Sequence, residues 1–156
     1  MRLSDIVSAE RILVDSDGGF VQEKIDAIRL LSHLVAPAVG ASKEVLEKLL
    51  SERERLQSTG IGDGVAIPHT SVDTASAQAG ALLLCPHGVP FDAIDGQKCT
   101  IVFGVVGPKR ATGEHLRTLA RISRLLRDAE TRDKLVHSSG SEEAYQLIVA
   151  HDASLG

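Results

Sequence analysis

Aromatic residues are scarce in this chain of 156 residues, which has no Trp, one Tyr and three Phe. Aromatic platforms on which nucleic-acid bases could stack are therefore nearly absent. The formal net charge is −4, from 17 Lys and Arg against 21 Asp and Glu. This balance argues against binding to nucleic acid or to an anionic membrane surface. It permits a protein partner with a basic rim.

Patterns of metal ligands are equally sparse. The two cysteines, Cys85 and Cys99, lie in separate apolar stretches and form no close Cys pair of the kind used for zinc or redox chemistry. We therefore expect both to be reduced core thiols. No His-x-x-x-His motif or carboxylate cluster has ligand spacing, and Cys85 with His87 supplies too few ligands. We expect neither a metal nor a cofactor.

No segment has the pattern of a secretory leader or of a membrane span. The first twenty residues carry Asp5, Glu10 and Asp15 among other charges and contain no apolar core. The longest uncharged run, residues 74–91, is interrupted by polar residues and two prolines. We expect a cytoplasmic protein. With no internal repeat, residues 1–156 are predicted to form one domain, with no second domain fused to it.

Apolar spacing predicts two helices in the first third of the chain. One runs from about Val21 to Val35 and is ended by Pro37 and Gly40. Ser42 is predicted to cap the second helix. The apolar face of that helix is expected to comprise Val45, Leu46, Leu49, Leu50 and Leu56.

Three more helices are predicted near the C-terminus. Thr112 is expected to cap the first, a short one follows over residues 132–137, and Ser141 begins the last, which reaches about Ala150. The inward face of the first is expected to comprise Leu116, Leu119, Ala120, Ile122, Leu125 and Leu126.

Between these two groups of helices the sequence predicts strands. They cover residues 65–67, ended by Pro68, then residues 77–84, ended by Cys85 and Pro86, and residues 100–106, which we expect to be buried on both faces. The alternation of strands and helices predicts an α/β fold, with α+β as the alternative. The architecture expected is a single-domain sandwich in which helices flank a mixed central β-sheet on both faces.

His69 differs from the other five histidines in what precedes it. Residues 58–64 contain three glycines at alternate positions, which disfavours a helix. They lead into a short strand, and Pro68 then constrains the backbone. The N–H groups of such a loop can bind an anion, and a neutral imidazole offers a nucleophilic nitrogen. The P-loop and dinucleotide motifs both fail here. From spacing alone, a structural histidine in a tight turn remains the alternative.

Residues 58–69 read Ser-Thr-Gly-Ile-Gly-Asp-Gly-Val-Ala-Ile-Pro-His. This segment resembles the active-site signature of IIA domains from the bacterial phosphoenolpyruvate-dependent sugar phosphotransferase system, of the fructose/mannitol type. Residues 91–97 and the pattern His115-Leu116-x-x-Leu119-Ala120 are similar to the nitrogen-regulatory branch of that family. The resemblance covers nearly the whole chain.

The resemblance implies roles for individual residues. It makes His69 the acceptor of a phosphoryl group, His115 a second active-site histidine and Arg53 a residue that stabilises the phosphate. The N–H groups of the glycine-rich loop would add further donors. The loop residues are Thr59, Gly60, Gly62 and Gly64. For Arg53 a solvated helix face remains the alternative, and for His115 a hydrogen bond to a loop carbonyl.

One position departs from the family pattern. Thr70 follows the active histidine, where the family usually has a small residue, most often glycine. A β-branched residue does not readily adopt positive φ, so the backbone at Thr70 is a point to check.

The function implied is that of a phosphotransferase component with a phosphohistidine intermediate. Its donor would be a histidine phosphocarrier protein charged from phosphoenolpyruvate, and its phosphorylation state would signal to regulatory targets. One alternative is a IIA component that passes phosphate to a separate IIB protein for sugar uptake. Another is a binding module that is not phosphorylated, for which Thr70 is the support. A metal-dependent enzyme using His69 and His115 ranks last. Ile61, Val89 and Phe91 would form either the centre of a transient interface or ordinary core.

Overall fold

A computed structural model describes residues 2–155 and places a six-stranded sheet between two layers of helices. The strands are β1 (Ile12–Val14), β2 (Gly60–Gly62), β3 (Val65–Ala66), β4 (His69–Val72), β5 (Ala79–Val89) and β6 (Cys99–Pro108). The helices are α1 (Leu3–Ile6), α2 (Lys24–Val39), α3 (Lys43–Leu56), α4 (Thr112–Leu125), α5 (Ala129–Val136) and α6 (Ser141–Ser154), with a 3₁₀ turn at Ala9–Arg11.

Strand β6 is the centre of the sheet. One of its edges pairs antiparallel with β5, which in turn pairs parallel with β1. Its other edge receives two strands one after the other. β3 pairs parallel through Val65 and Ile101, and β4 pairs parallel through His69 and Val105. Strand β2 forms a hairpin with β3. The sheet is therefore mixed and the fold α/β, as the sequence predicts.

Side chains of β6 alternate between two apolar cores. Ile101, Phe103 and Val105 join the core on the side of α1, α4, α5 and α6, whereas Val102 and Val106 join the core on the side of α2 and α3. The prediction that this strand is buried on both faces is confirmed. Burial of apolar surface on two faces is what orders the three layers.

Helix α2 differs from its predicted bounds at both ends. It begins at Lys24, where the Asp26 carboxylate accepts a hydrogen bond from the backbone N–H of Glu23. It also continues through Pro37 to Val39, because a proline near the C-terminal end removes one backbone donor without breaking the turns before it. Gly40, at φ 66°, then ends the helix.

Helix α3 begins as predicted, with Ser42 Oγ accepting a hydrogen bond from the backbone N–H of Val45. The predicted apolar face is partly wrong. Leu46 and Leu50 are buried, but Val45 is 48% exposed and Leu56 is 83% exposed. Leu56 is the last residue of the helix, beyond the region that packs on α2.

Helix α4 begins at Thr112, but the capping position is Ala111, so the predicted cap is wrong. Its inward face also differs from the prediction. Thr118, Ile122 and Leu125 are buried, whereas Leu116 is 60% exposed and Ala120 is exposed. Leu116 lies two positions before Thr118 and is therefore about 200° away around the helix.

The remaining boundaries shift modestly. Strand β5 passes Cys85 and Pro86 and ends at Val89, through an irregularity in its pairing with β6 where the missing N–H of proline is tolerated. Helix α5 begins at Ala129, before its predicted start, and α6 begins at the predicted Ser141.

Both cysteines are buried free thiols, as predicted. Burial is the main cause that raises the pKa of Cys85 to about 12 and that of Cys99 to about 11. Both thiols are therefore protonated and unreactive at neutral pH. Among residues 2–155, no helix combines the length and the apolar composition that crossing a membrane requires.

Candidate functional site

His69 is held at the edge of β6 by the backbone around Pro68. The carbonyl of Pro68 accepts a hydrogen bond from the N–H of Val105 at 3.0 Å. The N–H of Ile67 donates to the carbonyl of Thr59, also at 3.0 Å. The first bond keeps the chain at one edge of β6 as it passes from β3 to β4. The second bond ties the chain to the segment before β2. His69 is aligned with Val105 and lies beside His115 of α4.

The imidazole of His69 makes a hydrogen bond that fixes its tautomer. Nδ1 lies 2.7 Å from the carbonyl oxygen of Ile67. Because a carbonyl oxygen can only accept, Nδ1 carries the hydrogen and donates it. In the neutral ring Nε2 therefore has the lone pair.

Burial lowers the pKa of His69 below its ordinary value of 6.5. The carbonyl of Ile67 opposes this shift, the positive charge of Arg53 adds to it, and the carboxylate of Glu54 opposes it. The net direction favours the neutral ring at neutral pH. His69 thus carries an unprotonated Nε2 with a free lone pair, as a nucleophile requires.

A cleft of about 260 Å³ opens beside His69. We call it the His69 cleft. Its lining comes from the end of α3 and the segment after it, from the chain before β4 and from α4. The lining residues are Arg53, Gln57, Ser58, Thr59, Ile61, Ile67, His69, Leu119 and Ser123. The cleft has room for a phosphate-sized group next to the imidazole.

His115 lies in the first turn of α4, with its ring centroid 5.6 Å from that of His69 and the two planes inclined at 51°. Burial is the main cause that lowers its pKa, and a positive charge on His69 lowers it further. The two histidines are thus predisposed to be neutral together. The predicted pairing of these residues in one site agrees with this geometry.

Arg53 lies in the last turn of α3 and lines the His69 cleft. Its Nη1 donates to the carbonyl of Gln57 at 2.9 Å, which orients the guanidinium and uses one of its five N–H donors. Its positive charge is among the causes that lower the pKa of His69, and its role in binding a phosphate stays a prediction.

The three glycines predicted to bind phosphate belong to the β2–β3 hairpin and do not line the His69 cleft. A Cβ on Gly60 would lie 2.8 Å from that of Ala93, so only glycine fits there. Gly62 and Gly64 have φ values of 99° and 77°, which favour glycine. Of the predicted loop, Thr59 reaches the cleft. A role for the glycine N–H groups stays a prediction.

Glu54 is the residue that sequence reasoning missed. It is 6% exposed, and its carboxylate accepts from the Thr59 N–H at 2.9 Å and from Thr59 Oγ1 at 2.5 Å. Lys24 Nζ lies 3.1 Å from the same carboxylate. The charge run around Glu54 hides this role. The signal was helical spacing, because Glu54 follows Leu46 and Leu50 at intervals of four and shares their buried face.

Thr70 has ordinary strand geometry. It belongs to β4 and pairs with Val106. Within residues 2–155, the non-glycine residues with positive φ are Asp63 and Asp92. A β-branched residue suits such an extended backbone, so the departure from the family pattern at Thr70 causes no backbone strain.

The predicted apolar rim is partly core. Val89 and Phe91 are fully buried, in agreement with the alternative interpretation, whereas Ile61 is 51% exposed at the His69 cleft. Leu116, which the sequence placed inward, is exposed next to His115. Ile61 is therefore an exposed apolar side chain that lines the cleft, and Leu116 is an exposed one that follows His115 on α4.

A group of potential metal ligands lies away from His69. Ligand atoms of Asp15, Cys85 and His87 lie within 4.8 Å of one another. The Asp15 carboxylate, however, accepts from the N–H groups of Phe20 and Val21, and His87 Nε2 lies 2.5 Å from the Val21 carbonyl. These bonds hold residues 15–21 against β5 and account for the cluster.

Comparison with known proteins places the chain in a family. Residues 5–151 match the sequence model described as "Phosphoenolpyruvate-dependent sugar phosphotransferase system, EIIA 2". The chain is 35% identical over 149 residues to a nitrogen regulatory protein of Pseudomonas aeruginosa, covering 96% of both. It is 31% identical to a fructose-specific EIIA component of Haloferax volcanii, covering 80% of this chain and 82% of that one.

A solved structure agrees with this match. The nitrogen regulatory protein IIA-Ntr from Neisseria meningitidis superposes with a TM-score of 0.86 at 29% identity, covering 94% of this chain and 98% of that one. The chain belongs to the EIIA type 2 family, whose members are components of the phosphotransferase system. Its similarity extends to nitrogen regulatory proteins and to sugar-specific components of that family.

The first prediction concerns Glu54. In Glu54→Gln a neutral amide replaces the carboxylate that binds Thr59 and Lys24. The free energy of unfolding should therefore fall by about 2 kcal/mol. The substitution should also loosen Thr59 at the His69 cleft. The measurement is urea denaturation. Glu52→Gln, an exposed change two positions away on α3, is the matched control and should have little effect. Equal stability of the two variants would contradict the role given to Glu54.

The second prediction concerns pH. Because folding lowers the pKa of His69, the unfolded chain binds more protons than the folded one between the folded pKa and about 6.5. The contribution of His69 to the free energy of unfolding should therefore rise with pH in this window. That contribution is lost as pH falls from about 6.5 through the folded pKa. Denaturation at several pH values would measure the slope. His69→Gln should reduce it, and an unchanged slope would show that His69 titrates at its ordinary pKa.

Proposed function

We propose that the protein is a phosphoryl carrier that accepts a phosphoryl group on Nε2 of His69. The observation that carries the proposal is the 2.7 Å hydrogen bond from Nδ1 to the carbonyl of Ile67, which leaves the lone pair on Nε2. The lowered pKa of His69 and the cleft beside it support the same assignment. Membership of the EIIA family makes phosphoryl transfer the chemistry to expect.

The step balances without loss of a proton from His69. The Nε2 lone pair attacks the phosphorus of a phosphohistidine on a small phosphocarrier protein, and a new N–P bond forms as the donor's N–P bond breaks. The bonding electrons return to the donor's ring nitrogen. Throughout the transfer Nδ1 keeps its hydrogen and donates it to the carbonyl of Ile67. Since both partners are imidazoles, the transfer is reversible.

Charge stabilisation falls to side chains of the cleft. Phosphoryl transfer depends mainly on positioning and on neutralising the equatorial oxygens. Arg53 supplies a guanidinium held by Gln57. His115 supplies a second imidazole, which donates to a phosphoryl oxygen when protonated. Any donor from the glycine hairpin would come from the backbone of β2.

The role we propose is regulatory. The P. aeruginosa and N. meningitidis relatives are named for nitrogen regulation, and by similarity the phosphorylation state of His69 would control binding to regulatory targets in the cytoplasm. The H. volcanii relative, named for fructose, supports the alternative that phosphate passes to a separate IIB protein. The ordinary geometry of Thr70 removes the support for a module that is never phosphorylated. We further propose that the 156 residues act as one IIA domain.

The third prediction is phosphorylation of His69 at Nε2. The protein would be incubated with phosphoenolpyruvate, the first enzyme of the system and the phosphocarrier. Intact-mass spectrometry should show one acid-labile phosphoryl group on the wild type and none on folded His69→Gln. Nitrogen NMR of the product should place phosphorus on Nε2. A charged carrier that transfers nothing to the wild type would overturn the proposal, and modification at Nδ1 would overturn the tautomer assignment.

The same system separates the two roles. Adding a purified IIB protein of the fructose or mannitol type should leave the phosphoryl group on His69 if the chain is regulatory. Rapid loss of the group to IIB would favour the sugar-uptake alternative.

The fourth prediction concerns Arg53. Arg53→Lys keeps the positive charge but loses the planar fork that binds two oxygens at once. We expect the rate of transfer to His69 to fall roughly 10-fold or more, without loss of fold. Arg55→Lys is the matched control, since Arg55 lies on the same helix but does not line the His69 cleft. Equal rates for the two variants would remove Arg53 from the mechanism.

A further inference from the structure

Gln78 lies immediately before β5 and is 7% exposed. Its side-chain Nε2 donates to Glu114 Oε1 at 3.2 Å. An ionised carboxylate only accepts hydrogen bonds, so Glu114 selects the NH₂ side of the amide. The carbonyl oxygen Oε1 of Gln78 is therefore turned the other way. The orientation of this buried amide is fixed by its partner.

Two buried polar atoms remain unpaired on side chains that border the same glycine. Within residues 2–155, neither Gln78 Oε1 nor His115 Nδ1 has a hydrogen-bond partner. Both side chains border Gly107 of β6. A Cβ at Gly107 would lie 3.2 Å from His115 Nδ1, 3.0 Å from Gln78 Cγ and 3.7 Å from Gln78 Cδ. The missing side chain of Gly107 thus lets Gln78 and His115 approach the same point of β6.

The chemistry of the two atoms is complementary in one tautomer. Gln78 Oε1 can only accept, so a nitrogen that faces it must donate. Leaving both atoms buried and unpaired would cost the desolvation of each. A direct hydrogen bond between them would remove that cost. It requires the hydrogen of neutral His115 to sit on Nδ1.

We propose that Gln78 is a positioning residue that holds neutral His115 in the Nδ1–H tautomer. The Nε2 atom of His115 is then the nitrogen that takes a second proton. Its use in transfer rests on the proposed function: with a phosphoryl dianion on His69, His115 Nε2 takes up a proton from solvent, and the resulting imidazolium donates to a phosphoryl oxygen. Nδ1–H stays with Gln78, so the ring is oriented before the phosphoryl group arrives.

Nitrogen NMR on the unphosphorylated protein, with ¹⁵N-labelled histidine, tests the tautomer directly. In the wild type we expect a protonated Nδ1 and an unprotonated Nε2 on neutral His115. Gln78→Met keeps side-chain length and burial but removes the carbonyl. In this variant the hydrogen should shift towards Nε2, since a buried Nδ1–H would lose its acceptor. A wild-type ring with its hydrogen on Nε2, or an unchanged tautomer in Gln78→Met, overturns the proposal.

Gln146→Met is the matched control. Gln146 also donates its amide to a glutamate, Glu142 Oε1 at 3.3 Å, but it is exposed on α6. This variant should leave the His115 signals as in the wild type. If Gln146→Met moved them equally, the effect would be a general one and the assignment to Gln78 would fail.

Phosphoryl transfer supplies the second measurement. Gln78→Met should slow transfer to His69 roughly 10-fold, as expected for a residue that orients a functional histidine. A shifted tautomer with an unchanged rate would contradict the mechanistic part of the proposal. If the wild type itself accepts no phosphoryl group, the proposed function fails, while the NMR result still decides whether Gln78 sets the tautomer of His115.

Discussion

The position of His69 depends on how one edge of β6 is shared. β3 and β4 pair with it in succession, with the break between them at Pro68. The Pro68 carbonyl still accepts from the N–H of Val105, so the break changes the direction of the chain without releasing it from the sheet. The central strand of the sheet therefore positions the backbone of His69. A residue placed this way moves only if the core moves.

A series of hydrogen bonds leads from α3 to the imidazole of His69. The Glu54 carboxylate holds Thr59, the carbonyl of Thr59 accepts from Ile67, and the carbonyl of Ile67 binds Nδ1 of His69. Lys24 on α2 neutralises the buried carboxylate at the start of the series. Packing of α2 on α3 is thus connected to the orientation of the imidazole. The contacts that stabilise the packing of these helices therefore also orient the imidazole of His69.

What the sequence predicts well is local or strongly periodic. The Ser42 cap depends on residues three positions apart, and the burial of β6 on a continuous apolar run. What it misses depends on partners far along the chain. The burial of Glu54 is made tolerable by Lys24, thirty positions earlier, and the exposure of Leu116 follows from which face of α4 meets the sheet. His69 could be singled out because its motif is contiguous. The need for glycine at position 60 comes from its close approach to Ala93. Ala93 lies too far along the chain for a short motif to contain both residues.

The outer strands of the sheet have a further consequence. β1 and β2 have three residues each and β4 has four, so the unpaired backbone they present is short. Long, flat sheet edges invite another chain to add a strand, and short ones do not. Association through strand addition is thereby disfavoured, and contacts with other molecules must be made through side chains. Such contacts separate without breaking a ladder of backbone hydrogen bonds, as the carrier role proposed above would require.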